Sequence, residues 1–101
     1  MMIKHIVMWE FKAFAEGNEK QKNIEAVKRL LEGLKGKIKS ITHLEVGTHI
    51  VNNNVPCDVV LYAGFKDKQA LEAYQQHPLH KEVAGFIGKV SERRTIVDYE
   101  L

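Results

Sequence analysis

A chain of 101 residues, 45% hydrophobic and 28% charged, has the size and composition of one folded domain spanning 1–101 and not of a disordered segment. Its 15 basic and 13 acidic side chains are interspersed, and the densest basic pair is Arg93-Arg94, so the basic stripe that nucleic-acid binding needs is missing. The best apolar run, Val59 to Phe65, falls far short of the ~20 residues of a membrane helix, the opening residues carry no signal-peptide core, and Cys57 is the only cysteine; a cytoplasmic protein with no membrane and no nucleic-acid partner is expected.

Residues 2–12 read as a strand with Ile3, His5, Val7, Trp9 and Phe11 on one face and Met2, Ile6 and Met8 on the other. Both faces are largely apolar, whereas a sheet wetted on one side alternates apolar with polar, so this strand needs cover on both sides. Gly17-Asn18 then punctuates the chain, with Asn18 as the expected N-cap of an amphipathic helix carrying Ile24, Val27, Leu31, Leu34 and Ile38. Glu25 and Arg29 form a favourable i, i+4 pair on its polar side, Gly33 falls in mid-helix, and Gly36 is the expected C-cap. Residues 40–50 form a second strand, Asn52 to Pro56 a loop, and Cys57 to Lys66 a third strand rich in β-branched and aromatic residues. Asp67 caps a short helix bearing Ala70, Leu71 and Tyr74. His77-Pro78 interrupts it, because proline disfavours helical geometry in the residue before it yet suits the first turn of a new helix. Leu79, Val83, Phe86, Ile87 and Val90 continue the apolar stripe, and residues 93–101 form the last strand.

The order β-α-β, β-α-β with right-handed crossovers gives a ferredoxin-like α+β fold. Two split βαβ units interleave into a four-stranded antiparallel sheet with the helices on one face. The other face is left bare and apolar, which predicts a homodimer through the sheet faces, a dimeric α/β barrel. The space between the two sheets is then the expected pocket for a small molecule.

The chain resembles the stress-responsive dimeric A/B barrel (Dabb) proteins over essentially its whole length. The matching segments are Ile3-Lys4-His5-Ile6-Val7-Met8-Trp9, Leu44-Glu45-Val46-Gly47, Phe65-Lys66-Asp67 with Ala70-Leu71 and Tyr74, His77-Pro78-Leu79-His80, and Val97-Asp98-Tyr99. The resemblance implies a ferredoxin-like protomer, a homodimeric barrel and mixed functions: stress-linked plant proteins, a plant cyclase branch that folds polyketide chains, and related cofactor-free monooxygenases. In the cyclase branch the second histidine of the His-Pro-x-His element is the acid/base, which falls on His80. Where that branch places a further histidine on the third strand, this chain runs Val59-Val60-Leu61, implying a more apolar pocket.

The candidate catalytic residues are therefore His80, Tyr74 and His5. An imidazole suits proton abstraction from an acidic carbon, the Tyr74 phenol could hydrogen-bond a substrate carbonyl or enolate, and His5 could line the same pocket. Trp9, Val59 and Leu61 are the candidate ligand-binding walls. His77 reads as a helix cap and Cys57 as an inert thiol, since Asp58 beside it would raise its pKa. None of the five histidines forms a short zinc pattern, and His43 and His49, six apart on one strand, lie ~20 Å apart; no metal and no cofactor is expected. Two functions remain open: a stress-linked binding barrel enclosing a small apolar or polyketide-like ligand, and a cofactor-free lyase, cyclase or monooxygenase-like enzyme using His80.

Overall fold

In the computed structural model, which describes residues 2–101, the chain runs β1 (Ile3–Phe11), β2 (Phe14–Ala15), β3 (Asn18–Glu19), α1 (Lys20–Glu32), β4 (Ile41–Gly47), β5 (Val59–Phe65), α2 (Lys68–Gln76), α3 (Pro78–Val90) and β6 (Ser91–Glu100). Four of the strands form one sheet in the order β4-β5-β1-β6, with every neighbour antiparallel. This is the interleaved ferredoxin-like arrangement, with one helix more than two βαβ units require because His77-Pro78 divides the second crossover into α2 and α3.

The pleat of β1 decides what each face meets. Ile3, His5, Val7, Trp9 and Phe11 are buried under the helices, and Lys4, Ile6, Met8 and Glu10 between them are only half-buried. On the same inner face, Leu44 and Val46 of β4 and Val59, Leu61, Ala63 and Phe65 of β5 meet Ile24, Val27 and Leu31 of α1, Leu71 and Tyr74 of α2, and Val83, Ile87 and Val90 of α3 in one core. Each such aliphatic side chain contributes roughly 1.5–3 kcal/mol by leaving water. The outer face keeps Ile6, Met8, Val60, Val97 and Tyr99 without a helix over them. At the β4 side of that face Tyr62 is flanked by the Lys4 ammonium, 5.5 Å from its ring centre, and by the edge of His43 at 5.7 Å.

The entry to α1 departs from the sequence expectation. Asn18 does not cap the helix: Glu16 and Gly17 both take positive φ (51° and 77°), so the chain makes a tight two-residue hairpin between β2 and β3. That turn consumes Asn18, whose side-chain amide donates to the Glu16 carbonyl instead (3.3 Å). Glu19 precedes the helix without a side-chain cap, and buried Asn23 ties hairpin to helix by donating to the Ala15 carbonyl at 3.0 Å. The exit is also earlier than expected. The helix ends at Glu32, Gly33 is the cap and not a mid-helix residue, and Gly36 sits at φ 88° in the following turns. Leu34 and Ile38 nonetheless reach the core from those turns, so their helical spacing reflects shared burial and not a shared helix.

The second crossover agrees with expectation. The Asp67 carboxylate accepts from the Ala70 amide at 2.8 Å and starts α2. His77 takes an extended conformation (ψ 134°) and its Nδ1 accepts from the Leu79 amide at 3.1 Å, with Pro78 in the first position of α3.

Candidate functional site

Three strands and two helices bring the candidate residues to one place. His5 leaves β1 on its inner face, and the antiparallel register sets Asp98 of β6 opposite it. The two side chains meet, His5 Nδ1 to Asp98 Oδ1 at 2.5 Å, with the histidine 4% exposed. This contact fixes the imidazole's orientation and occupies the Asp98 carboxylate.

Tyr74, in the last turn of α2, is completely buried. Its ring leans on Phe65 (5.0 Å between ring centres), His5 (6.1 Å) and His80 (4.4 Å). Its hydroxyl has no hydrogen-bond partner among the described residues, and burial pushes its pKa up to about 12. His80, in the first turn of α3, is half-buried, and its Nδ1 is buried and likewise without a partner. Burial holds His80 below the ordinary histidine value; the nearby Gln75 carbonyl works the other way without closing a bond to Nδ1, and the fields of His5, Arg94 and His77 add to the lowering. A buried polar atom left unpaired costs about 1–3 kcal/mol, and a ligand able to hydrogen-bond each of these two would relieve that cost.

Both residues border a cavity of about 190 Å³. His5, Val7 and Trp9 of β1 and Leu61 of β5 form its floor, Tyr74, His80, Val83 and Ile87 its helical wall, and Arg94 and Ile96 its open side. The volume matches roughly six water molecules at about 30 Å³ each, so it suits a small organic molecule. This cavity lies on the helix side of the sheet, inside one protomer, and is distinct from the space expected between two sheet faces. The reason is local: the helices cover β1 and β5 but not edge strand β6, whose residues beyond Ser91 are all exposed, and Ile96 stays 42% exposed although it pairs with buried Val7.

Of the residues singled out from sequence, His5, Tyr74, His80, Trp9 and Leu61 line this cavity. Val59 does not; it is fully buried in the core beside them. Sequence reasoning missed Asp98, Arg94 and Gln75 as neighbours of the site. The signal for the first two was present in β6, where Arg94, Ile96 and Asp98 alternate against Thr95, Val97 and Tyr99, but only the pairing register says which set faces inward. Cys57 lies away from the cavity with its thiol pushed up by burial and then by Asp58. Among the described residues no cluster of three or more histidine, cysteine or acidic side chains is arranged to hold a metal.

Sheet, helices and cavity together define a ferredoxin-like α+β domain of the dimeric barrel type. The sequence profile of the Stress responsive A/B Barrel Domain matches residues 3–101, and the chain belongs to that family. A search of curated proteins finds no match. Among solved structures, a dimeric protein of unknown function with a ferredoxin-like fold from Bacteroides fragilis NCTC 9343 is similar at 30% identity and a TM-score of 0.85, over 99% of this chain and 96% of that one. A dimeric ferredoxin-like protein of unknown function from Thermobifida fusca YX is similar at 22% identity and TM-score 0.83, over 100% and 92%. The hydroxynitrile lyase from Passiflora edulis shares the fold at 15% identity and TM-score 0.84, over 99% and 93%.

The unpaired hydroxyl makes Tyr74 a sharp test of this geometry. Tyr74→Phe keeps the ring and deletes only the unpaired oxygen, so urea denaturation should show stability unchanged or raised, by up to about 1–3 kcal/mol. A loss of 2 kcal/mol or more, on the order of a charged-group hydrogen bond, would mean that the hydroxyl is bonded within the protein.

Proposed function

We propose that this protein is a cofactor-free acid/base enzyme of the lyase, cyclase or isomerase kind, acting on a small oxygen-bearing organic molecule held in the cavity under the sheet. The observation that carries the reading is the pair of buried, unpaired atoms, Tyr74 Oη and His80 Nδ1, on rings 4.4 Å apart in the cavity wall. His80, held below the ordinary histidine value by burial, is neutral at pH 7 and can accept a proton. Tyr74, with its pKa at about 12, stays a phenol and donates to an oxygen that gains negative charge. The step follows from these two states. His80 takes a proton from the carbon next to a carbonyl, the C–H electron pair moves into the carbonyl group, and the enolate oxygen accepts from Tyr74. His80, now an imidazolium, returns the proton to another position or to a leaving group. His5, oriented by Asp98, closes the inner end of the cavity. Lyase chemistry on this fold has a precedent in the Passiflora hydroxynitrile lyase.

The apolar remainder of the wall, Val7, Leu61, Val83 and Ile87, favours a second reading in which the barrel binds a small apolar or polyketide-like ligand without turning it over, as part of a stress response. Exchange of α-protons for deuterium in small ketones and 1,3-dicarbonyl compounds, followed by NMR in D₂O, separates the two. Catalysed exchange that falls by about 100-fold or more in His80→Ala supports the enzyme; exchange that persists in the variant, or ligand binding with no exchange, contradicts it. The base must be deprotonated, so the rate should rise with pH through a pKa below 6.5 and stay flat to beyond pH 10, since Tyr74 ionises only near 12.

The working unit of this reading is a homodimer joined through the outer sheet faces. Its support is the uncovered apolar surface of Ile6, Met8, Val60 and Val97 and the dimeric state of the Bacteroides and Thermobifida proteins. Light scattering at micromolar concentration should give twice the 11.6 kDa chain mass; a mass of one chain would contradict it.

A further inference from the structure

The cavity wall contains no aspartate or glutamate, yet it holds one permanent cation, Arg94. The two neighbouring arginines of β6 part company at the sheet. Arg93 turns to the outer face, where its Nε stands 3.7 Å from Glu10, while Arg94 pairs with Trp9 in the register and shares the inner face with it. Asp98, the carboxylate two pleats along that inner face, is taken by His5. Among the described residues Arg94 has no acidic partner. Its guanidinium therefore borders a cavity whose wall carries no acidic side chain, and its field is one of those felt by His80.

We infer that Arg94 is the anchor for a carboxylate, and that the site takes small oxo acids with the acid group on Arg94 and the carbonyl oxygen on Tyr74. This rests on the acid/base reading and names its substrate class. A planar guanidinium offers paired donors that match a carboxylate, and a wall without competing acids leaves that attraction uncancelled. The pairs Trp9 with Arg94 and His5 with Asp98 mark the two ends of the β1–β6 floor, four residues or about 13 Å apart along the strand. A ligand lying along that floor has its anionic head at the open end beside Arg94. Its apolar body rests on Trp9 and Val7, and its carbonyl reaches inward to Tyr74 and His80. A cavity of about 190 Å³ limits such an acid to a short chain.

Trp9 is the single tryptophan of the chain and lies in the cavity floor, so its fluorescence reports occupancy directly. The probes are the short oxo acid 4-oxopentanoate, whose carbonyl is separated from its carboxylate by two methylenes, and its uncharged methyl ester, titrated into the wild-type protein, Arg94→Met and Arg94→Lys. The wild type should bind the acid at least tenfold more tightly than the ester, Arg94→Met should lose that preference while still binding the ester, and Arg94→Lys should keep part of it. Raising the salt to 1 M should shrink the preference in the wild type and what remains of it in Arg94→Lys, and leave Arg94→Met unchanged. Equal binding of acid and ester by the wild type, or an undiminished preference in Arg94→Met, overturns the carboxylate anchor. In either case His80-dependent exchange at the carbons beside the ester's ketone leaves the acid/base reading standing. A Trp9 signal that neither probe moves overturns both.

Discussion

The break in the helix at His77-Pro78 is the constraint on which the site depends. In an unbroken α-helix Tyr74 and His80, six residues apart, would be separated by about 9 Å along the axis and would point roughly 120° apart. Proline at 78 cannot continue α2, because it lacks the amide and forces the preceding residue out of helical geometry. His77 accordingly turns to ψ 134°, its imidazole caps the new helix, and the two rings arrive 4.4 Å apart on the same cavity. The three members of the motif thus divide the labour: His77 ends one helix and begins the next, Pro78 enforces the turn, and His80 faces the ligand space.

The electrostatics of the cavity follow from what the fold covers. Helices bury Tyr74 fully, which keeps it protonated, and half-bury His80, which keeps it unprotonated. Edge strand β6 is left uncovered, so charged Arg94 can stand at the rim with its head in water while the floor behind it stays apolar. A neutral base, a neutral donor and one fixed cation around a space of this size form a coherent set for a small carbonyl compound with an acid group. The sheet's other face is a separate matter of assembly, since no residue of the cavity wall lies on it.

Much of this was legible in the sequence because the relevant signals are short-range. Alternation in 2–12, the Asp67 cap, the His77-Pro78 break and the β-α-β order each follow from a few neighbouring residues, and together they specify the ferredoxin-like sheet with its helices on one side. The features that escaped are those set by register and by competition between local options. Asn18 suits an N-cap, but Glu16-Gly17 makes a hairpin turn that uses it first. Gly33 ends α1 one turn before the spacing of Leu34 and Ile38 suggests. The cavity on the helix side of the sheet was not anticipated, because sequence shows which faces are apolar but not that α3 leaves β6 uncovered. Asp98 and Arg94 became visible only once the β1–β6 pairing placed them opposite His5 and Trp9.

The central claim is that His80 is a neutral base in contact with whatever fills the cavity, and imidazole NMR tests it most directly. Long-range ¹H–¹⁵N spectra of the wild type, with His80 assigned through His80→Gln, should show it titrating below the ordinary value of about 6.5. Its ring nitrogens should also shift when 4-oxopentanoate methyl ester is added at pH 7. A His80 that titrates at or above 6.5, with nitrogen signals unmoved by a ligand that quenches Trp9, would contradict the account.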